Sequence, residues 1–168
     1  MAILKRHGKP FITALAAAAL VAAIFAAPAS ATETETSGTC VGGAFTSTPE
    51  PGSAVAPGDV IVYQVTMIVE GGSVLGCSRD ILVSPLLEFV SVTPGGAYFP
   101  ETTVGPMVIV SFEGPFEAGT ILTGEVTMRV RLDAPAGATI QASSGEVIQH
   151  VVADCKVQPN GKVKCKKN

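Results

Sequence analysis

The sequence contains no tryptophan, and its asparagines are confined to positions 160 and 168. Without tryptophan, an exposed platform for stacking on sugars has to come from the two tyrosines and seven phenylalanines. Without asparagine before residue 160, we expect neither a calcium loop with clustered Asp and Asn ligands nor Lys-Asn isopeptide cross-links. Calcium-binding modules and isopeptide-stapled pilin domains are therefore disfavoured.

Histidine is scarce as well, because His150 is the one histidine after residue 31. A Ser-His-acid triad would depend on His150, which lies on a predicted strand without a nucleophile motif around it, so we expect a histidine at a solvent edge or one satisfied within the strand. The cysteines lack metal-ligand spacing. Carboxylates that a glycosidase would need are scattered over strand faces and loops, at Glu101, Glu113, Glu117 and Glu125. We therefore predict no enzyme activity, no metal and no cofactor.

Residues 1–31 have the features of an export signal. Lys5, Arg6 and Lys9 precede an apolar run from residue 11 to residue 27, and small residues follow at Ala29-Ser30-Ala31. The run is short, rich in alanine and closed by a cleavage-site pattern, which favours a signal peptide over a permanent anchor. We expect a secreted or envelope-associated protein that begins at Thr32 and has no membrane span after cleavage.

The remaining chain is one domain long and has an uneven charge distribution. All fourteen acidic residues and eight of the eleven basic ones follow residue 31. Thirteen acids and three arginines lie in residues 32–153, whereas five lysines lie in residues 154–168. We divide the chain into the signal peptide (1–31), an N-terminal segment with a first edge strand (32–53), a β-sandwich (54–153) and a basic tail (154–168).

Four cysteines follow the export signal, so disulfides are expected in an oxidising compartment. If Pro159-Asn160-Gly161 forms a type I turn with a glycine bulge, Lys156 lies opposite Lys164 and Cys155 opposite Cys165. Of the three pairings available, this register favours Cys155 with Cys165, which leaves Cys40 with Cys77. The tail is then a disulfide-linked hairpin with lysines on one face.

Strand patterns recur every 8 to 15 residues between glycines and prolines, and sustained helical periodicity is absent. The longest pattern follows the turn Pro57-Gly58-Asp59, where alternate residues from Ile61 to Val69 form one apolar face. A second alternation runs from Leu122 to Leu132. The expected fold is all-β, an immunoglobulin-like antiparallel β-sandwich of about seven or eight strands, with a closed barrel as the alternative.

Several segments, in this order, resemble known families. They are Pro57-Gly58-Asp59 with its long strand, residues 87–95 (LEFVSVTPG), Ala118-Gly119-Thr120 before an alternating strand, and residues 133–137 (DAPAG) before the last strand. The order is similar to that of a conserved repeat domain of unknown function on bacterial surface proteins, and to that of cohesin modules of cellulosome scaffolds, over residues 54–153. The resemblance implies an immunoglobulin-like fold and a role in extracellular scaffolding or adhesion, without catalytic residues.

Two features are candidates for ligand contact. Tyr98 and Phe99 lie in a predicted loop, where they are either exposed or folded back over the end of the core. The lysines of the tail either contact an anion or protect an exposed strand edge, and they are Lys156, Lys162, Lys164, Lys166 and Lys167. We predict a non-catalytic structural or protein-interaction module, and as the alternative a module that binds cell-wall polymer or carbohydrate. The expected partner is an extracellular protein or a wall polymer, not a nucleic acid.

Overall fold

The computed structural model describes residues 37–158 and 162–165. The predicted signal peptide and the segment up to residue 36 lie outside the described residues, as do the tail turn at 159–161 and Lys166 and Lys167. Within the described ranges, no helix is long and apolar enough to cross a membrane.

The strand β3 (Val60–Glu70) follows the turn at Pro57-Gly58-Asp59. Gly58 adopts a φ of 91°, which favours glycine, and the Asp59 Oδ2 accepts a hydrogen bond of 2.8 Å from the Ala56 amide. The turn therefore starts the strand at a defined residue. From Ile61 to Val69, every second side chain is buried, which confirms the predicted core face.

The chain forms two sheets that face each other, and the hairpin follows them. The four-stranded sheet has the order β1-β3-β8-β5, and the six-stranded sheet has the order β2-β10-β9-β4-β7-β6. All pairs are antiparallel except the two-residue pair of β2 with β10. The remaining strand bounds are β1 Thr39–Thr48, β2 Ala54–Val55, β4 Val74–Val83, β5 Leu87–Thr93, β6 Gly95–Phe99, β7 Met107–Phe116, β8 Ile121–Val130, β9 Thr139–Ser144, β10 Glu146–Val152, β11 Cys155–Val157 and β12 Val163–Cys165. The predicted all-β sandwich is confirmed, and the separate sheets exclude the closed barrel.

In the described part of the chain, ten strands build the sandwich, more than the seven or eight expected. One reason is that the last segment is two strands: Gly145, at a φ of 83°, reverses the chain so that β9 and β10 pair. Another is β6, which pairs with β7 where we expected a loop. The prediction of a loop at Tyr98 and Phe99 is therefore wrong.

Leu132 differs from its prediction. The alternation of β8 places Leu122, Val126, Met128 and Val130 in the core as expected. The strand ends at Val130, and Leu132 lies in the following turn with 62% of its surface exposed. The alternation constrains side chains only while the backbone stays extended, so the expected core position of Leu132 is wrong.

Polar and covalent links join the two sheets beside the apolar core. Cys40 on β1 and Cys77 on β4 form a disulfide between the sheets. Arg79, also on β4, donates to the Thr66 carbonyl oxygen on β3 at 2.7 Å and to Ser144 Oγ on β9 at 2.7 Å. Burial lowers the pKa of the Arg79 guanidinium, and the charge of Glu146 raises it.

The predicted hairpin register is confirmed. Cys155 pairs with Cys165 and Lys156 with Lys164, and the Gln158 amide donates to the Lys162 carbonyl oxygen at 2.8 Å. The thiols of Cys155 and Cys165 are bonded across the two strands. Lys156 and Lys164 are both exposed.

Candidate functional site

One end of the sandwich carries two chain reversals, the β3–β4 turn (residues 71–73) and the β7–β8 turn (residues 117–120). The β7–β8 turn is bonded to the end of β3, since the Gly119 amide donates to the Val69 carbonyl oxygen at 2.7 Å and the Val69 amide donates to the Thr120 carbonyl oxygen at 3.0 Å. We call this end of the sandwich the acidic end. It consists of the two turns, the last residues of β3 and β7, and the first residues of β4 and β8.

An apolar row crosses the outer face of the four-stranded sheet at the acidic end. Val41 on β1 pairs with Ile68 on β3, and Ile68 pairs with Ile121 on β8. Their side chains are 40%, 36% and 68% exposed, respectively. Directly paired residues of an antiparallel sheet lie about 5 Å apart, so the three side chains form one continuous apolar surface in contact with solvent.

A groove of about 580 Å³ opens beside this row, and Ile121 belongs to both. Residues 111–113 and Phe116 of β7 line one side, residues 121–123 of β8 line the other, and residues 94–96 close one end. The groove exists because the neighbouring strands stop early. β5 pairs with β8 only from Glu125 onward, and β6 pairs with β7 only up to Ser111.

The start of β8 has an unpaired edge on the groove side. The Val130 carbonyl oxygen accepts from the Gly58 amide and the Val130 amide donates to the Asp59 carbonyl oxygen, both on the side of β3. The amide of the next residue, Arg131, donates to the Leu86 carbonyl oxygen on the side of β5. Antiparallel strands alternate these directions, so the backbone N–H and C=O groups of Ile121 and Thr123 point to the side of β5. Within the described part of the chain, no strand pairs with them there.

The charges around this groove are all negative. Glu113 lines it, and the exposed carboxylate of Glu117 follows in the β7–β8 turn. Residues 80–128 contain no lysine or arginine at all. The acidic end therefore combines an apolar row, a free strand edge and exposed carboxylates.

The predicted contact pair Tyr98 and Phe99 lies on β6, at the other end of the sandwich. The Tyr98 ring stacks on Phe89 with centroids 5.0 Å apart and planes 5° apart, so one face of this ring packs against protein. Phe99 points away and is 41% exposed. The two residues do not form one shared aromatic platform, because neighbouring residues of a strand face opposite sides.

The candidate lysines and the aromatic pair are not brought together. β6 forms one edge of the six-stranded sheet, whereas the hairpin follows β10, next to the opposite edge. Lys156 and Lys164 share one face of the hairpin because directly paired residues point the same way.

His150 is fully buried, which excludes the solvent edge and leaves the other expected position, within the strand. Its Nε2 lies 3.2 Å from Ser47 Oγ, and this hydroxyl donates to the Pro49 carbonyl oxygen at 2.8 Å. Burial lowers the pKa of His150, and the Ser53 backbone raises it. His150 is fully buried and Ser47 is 8% exposed, so the pair lies inside the protein and is closed to a substrate.

Sequence reasoning missed the apolar row and the groove. The row had a signal, because Ile68 falls on the face of β3 that should be polar. The groove had no signal in the sequence, because it depends on where β5 ends relative to β8 and where β6 ends relative to β7. Among the described residues, no group of three or more His, Cys, Asp or Glu side chains is placed to hold a metal.

No protein-family model matches the chain, and no curated protein matches it. Three similar solved structures are cohesin–dockerin complexes. The CaDoc0917–CaCohA2 complex has a TM-score of 0.45 at 12% identity, over 68% of this chain and 99% of that chain. The third cohesin of ScaC with the ScaB dockerin, from Acetivibrio cellulolyticus, has a TM-score of 0.42 at 14% identity, over 61% and 95%.

The sixth cohesin of scaffoldin B from Acetivibrio cellulolyticus, in complex with a mutant Cel5 dockerin, has a TM-score of 0.39 at 14% identity, over 73% of this chain and 91% of that chain. These structures belong to the second family that the sequence resembles, and the repeat-domain resemblance finds no support. Because all three TM-scores are low, the proposal below rests on the surfaces of this chain.

Proposed function

We propose that the chain is a secreted, non-catalytic protein-interaction module of the adhesion or scaffold type. One observation carries the proposal: the exposed row of Val41, Ile68 and Ile121 continues into a groove with a free strand edge. Contiguous apolar surface on a folded domain marks an interaction site more often than single exposed residues do.

The composition of the acidic end suits a protein partner. Protein interfaces combine an apolar centre with a polar or charged rim. Here the aliphatic row supplies the centre, and the carboxylates of Glu113 and Glu117 supply a rim on one side. A pocket for a small ligand would be enclosed and lined with converging polar groups, whereas this groove is open along the strand edge.

Other features support an extracellular and non-catalytic role. The described part of the chain holds two disulfides, Cys40–Cys77 and Cys155–Cys165, which persist in oxidising compartments. The Ser47–His150 pair, the one Ser-His pair linked among the described residues, is closed to a substrate because both side chains are buried.

Replacing Ile68 by aspartate tests the proposal, because it places a charge in the centre of the apolar row. The matched control is Leu132→Asp, which introduces the same charge at an exposed leucine in the turn after β8. Immobilised wild-type and variant proteins are incubated with culture fluid and envelope proteins of the producing organism. We expect a stable protein partner that the wild type and Leu132→Asp retain and Ile68→Asp loses.

Equal retention by both variants would exclude the row as the interaction surface, and a hydrolytic activity lost in His150→Ala would overturn the non-catalytic role. The alternative of wall-polymer or carbohydrate binding predicts salt-sensitive retention on purified polymer, lost in Lys156→Ala with Lys164→Ala. Stacking by Tyr98 already engages one face of its ring with Phe89, which favours the protein partner.

A further inference from the structure

The described strands of the hairpin carry two lysines and no acidic residue. Lys156 and Lys164 are directly paired across the two strands and are both exposed. Neither makes an ion pair within the described part of the chain. Like charges in directly paired positions repel each other, and a carboxylate between them would remove the repulsion.

The acidic end carries carboxylates, which can pair with the lysines of the hairpin. Glu113 lines its groove, the exposed Glu117 follows in the β7–β8 turn, and residues 80–128 contain no lysine or arginine. It also offers the unpaired backbone groups of Ile121 and Thr123, and each hairpin strand likewise has one side without a partner strand. We propose that copies of this chain associate head to tail, with the hairpin of one copy adding as a strand to the start of β8 in the next.

This contact is out of reach within a single copy. Val151 pairs with Thr139, and Ala142 pairs with Val83, so β10 ends beyond the Val83 end of β4. Glu113 pairs with Gly76 near the other end of β4. Along the strands this places Val152 about 35 Å from Glu113, at about 3.3 Å per residue.

Lys156 follows Val152 by four residues, which span at most about 14 Å when fully extended. The lysines of the hairpin therefore reach a groove only on another copy. The two surfaces that meet are different, so the contact is heterologous and leaves one hairpin and one groove free at the ends of each assembly. Repetition of the contact builds an open chain.

The interaction is an addition of a β-strand to a sheet edge. The unpaired part of β8 has four residues, 121–124, which is long enough for the three residues of β12 (Val163–Cys165). Backbone hydrogen bonds from Ile121 and Thr123 hold the added strand, and the carboxylates draw the lysines and set its orientation. The inference names the partner of the proposed interaction module, and it rests on that proposed function.

Sedimentation velocity of the disulfide-bonded chain, over a range of concentrations, tests the association. We expect the average mass to rise above that of one chain with increasing concentration at about 20 mM salt, and to return toward it at about 500 mM, because salt screens exposed charges. A single-chain mass at every concentration and salt level would overturn the head-to-tail contact.

Charge reversal assigns the surfaces. Lys156→Glu with Lys164→Glu, and separately Glu113→Lys with Glu117→Lys, should each weaken association by about tenfold or more, because like charges then face each other. An equimolar mixture of the two variants should associate again, since each reversed surface meets its complement on the other. Arg129→Glu and Glu88→Lys, which lie away from both surfaces, are the matched controls. A mixture that stays monomeric would contradict the pairing.

Thr123→Pro tests the strand addition, because proline removes the amide that faces the groove and leaves the bonds to β3 in place. We expect an unchanged fold by circular dichroism and loss of association. Wild-type association in this variant would refute strand addition. The two proposals can fail separately. If the protein stays monomeric but still retains another protein through Ile68, the head-to-tail contact is overturned and the interaction function stands.

Discussion

Arg79 joins four strands, so its replacement by methionine should reveal how much one side chain contributes to holding the two sheets together. The guanidinium donates to the Gly43 carbonyl oxygen at 3.0 Å, to the Thr66 carbonyl oxygen at 2.7 Å, and to Ser144 through Oγ at 2.7 Å and the carbonyl oxygen at 2.5 Å. These acceptors lie on β1, β3 and β9. Methionine keeps much of the aliphatic length and removes every donor.

The acceptor on β1 explains why the site requires a long cation. The register of β1 against β3 shifts between Gly42 and Phe45, and the carbonyl group of Gly43 falls within this bulge. An extra residue in a bulge leaves backbone groups without ladder partners. Arg79 supplies the donor that the ladder cannot supply there.

The expected loss follows from the number of bonds and their exposure. A hydrogen bond from a charged group contributes about 1.5 to 3 kcal/mol, and water replaces part of it because Arg79 is half-buried. We expect Arg79→Met to lower the free energy of unfolding by about 2 to 4 kcal/mol. Arg79→Lys should recover a minor part, since one ammonium group cannot reach acceptors on both sides.

Urea denaturation with both disulfides intact measures this loss. The matched control is Arg129→Met, which removes an exposed arginine from the outer face of β8 and should change the free energy of unfolding by no more than about 0.5 kcal/mol. Equal losses in the two variants would refute the role of Arg79 in joining the sheets.

Three further predictions concern the core and its edge. Tyr63→Ala should cost about 3 kcal/mol, whereas Tyr63→Phe should be neutral or stabilising in thermal unfolding, because the buried hydroxyl has no hydrogen-bond partner among the described residues. The pKa of His150 is lowered in the folded state, so the contribution of His150 to stability should be complete above about pH 6.5 and be lost as the pH falls toward that lowered pKa. The urea midpoint should therefore decrease between pH 8 and pH 5, and it should decrease less in His150→Gln than in the wild type. Val130→Ala should cost about 2 kcal/mol and Leu132→Ala less than about 0.5 kcal/mol, and similar melting temperatures for both would contradict the end of β8 at Val130.

Local chemistry predicted the elements that depend on neighbours in the sequence. Proline, glycine and aspartate at 57–59 set the start of β3, and its alternation identified the buried face because successive side chains of a strand point to opposite sides. The hairpin register followed from the type I turn with a glycine bulge that the sequence predicts at residues 159–161.

The candidate site was predictable only in part. The lysines of the hairpin were identified from the sequence, because they alternate with Cys155 and Cys165 in the paired strands. The acidic end was visible as a region without basic residues but not as a surface. Tyr98 was assigned to a loop because glycines precede it, and the pairing of β6 with β7 outweighed that local preference.

The sequence by itself determined the strand chemistry, the buried face of β3 and the hairpin that joins Cys155 to Cys165. Only the tertiary structure decided which strands are neighbours, where β5 and β6 stop, and therefore where β8 has a free edge. The physical reason is that side-chain alternation is a property of each strand alone. Pairing depends instead on packing between residues distant in the chain, so surfaces at strand edges arise from the fold.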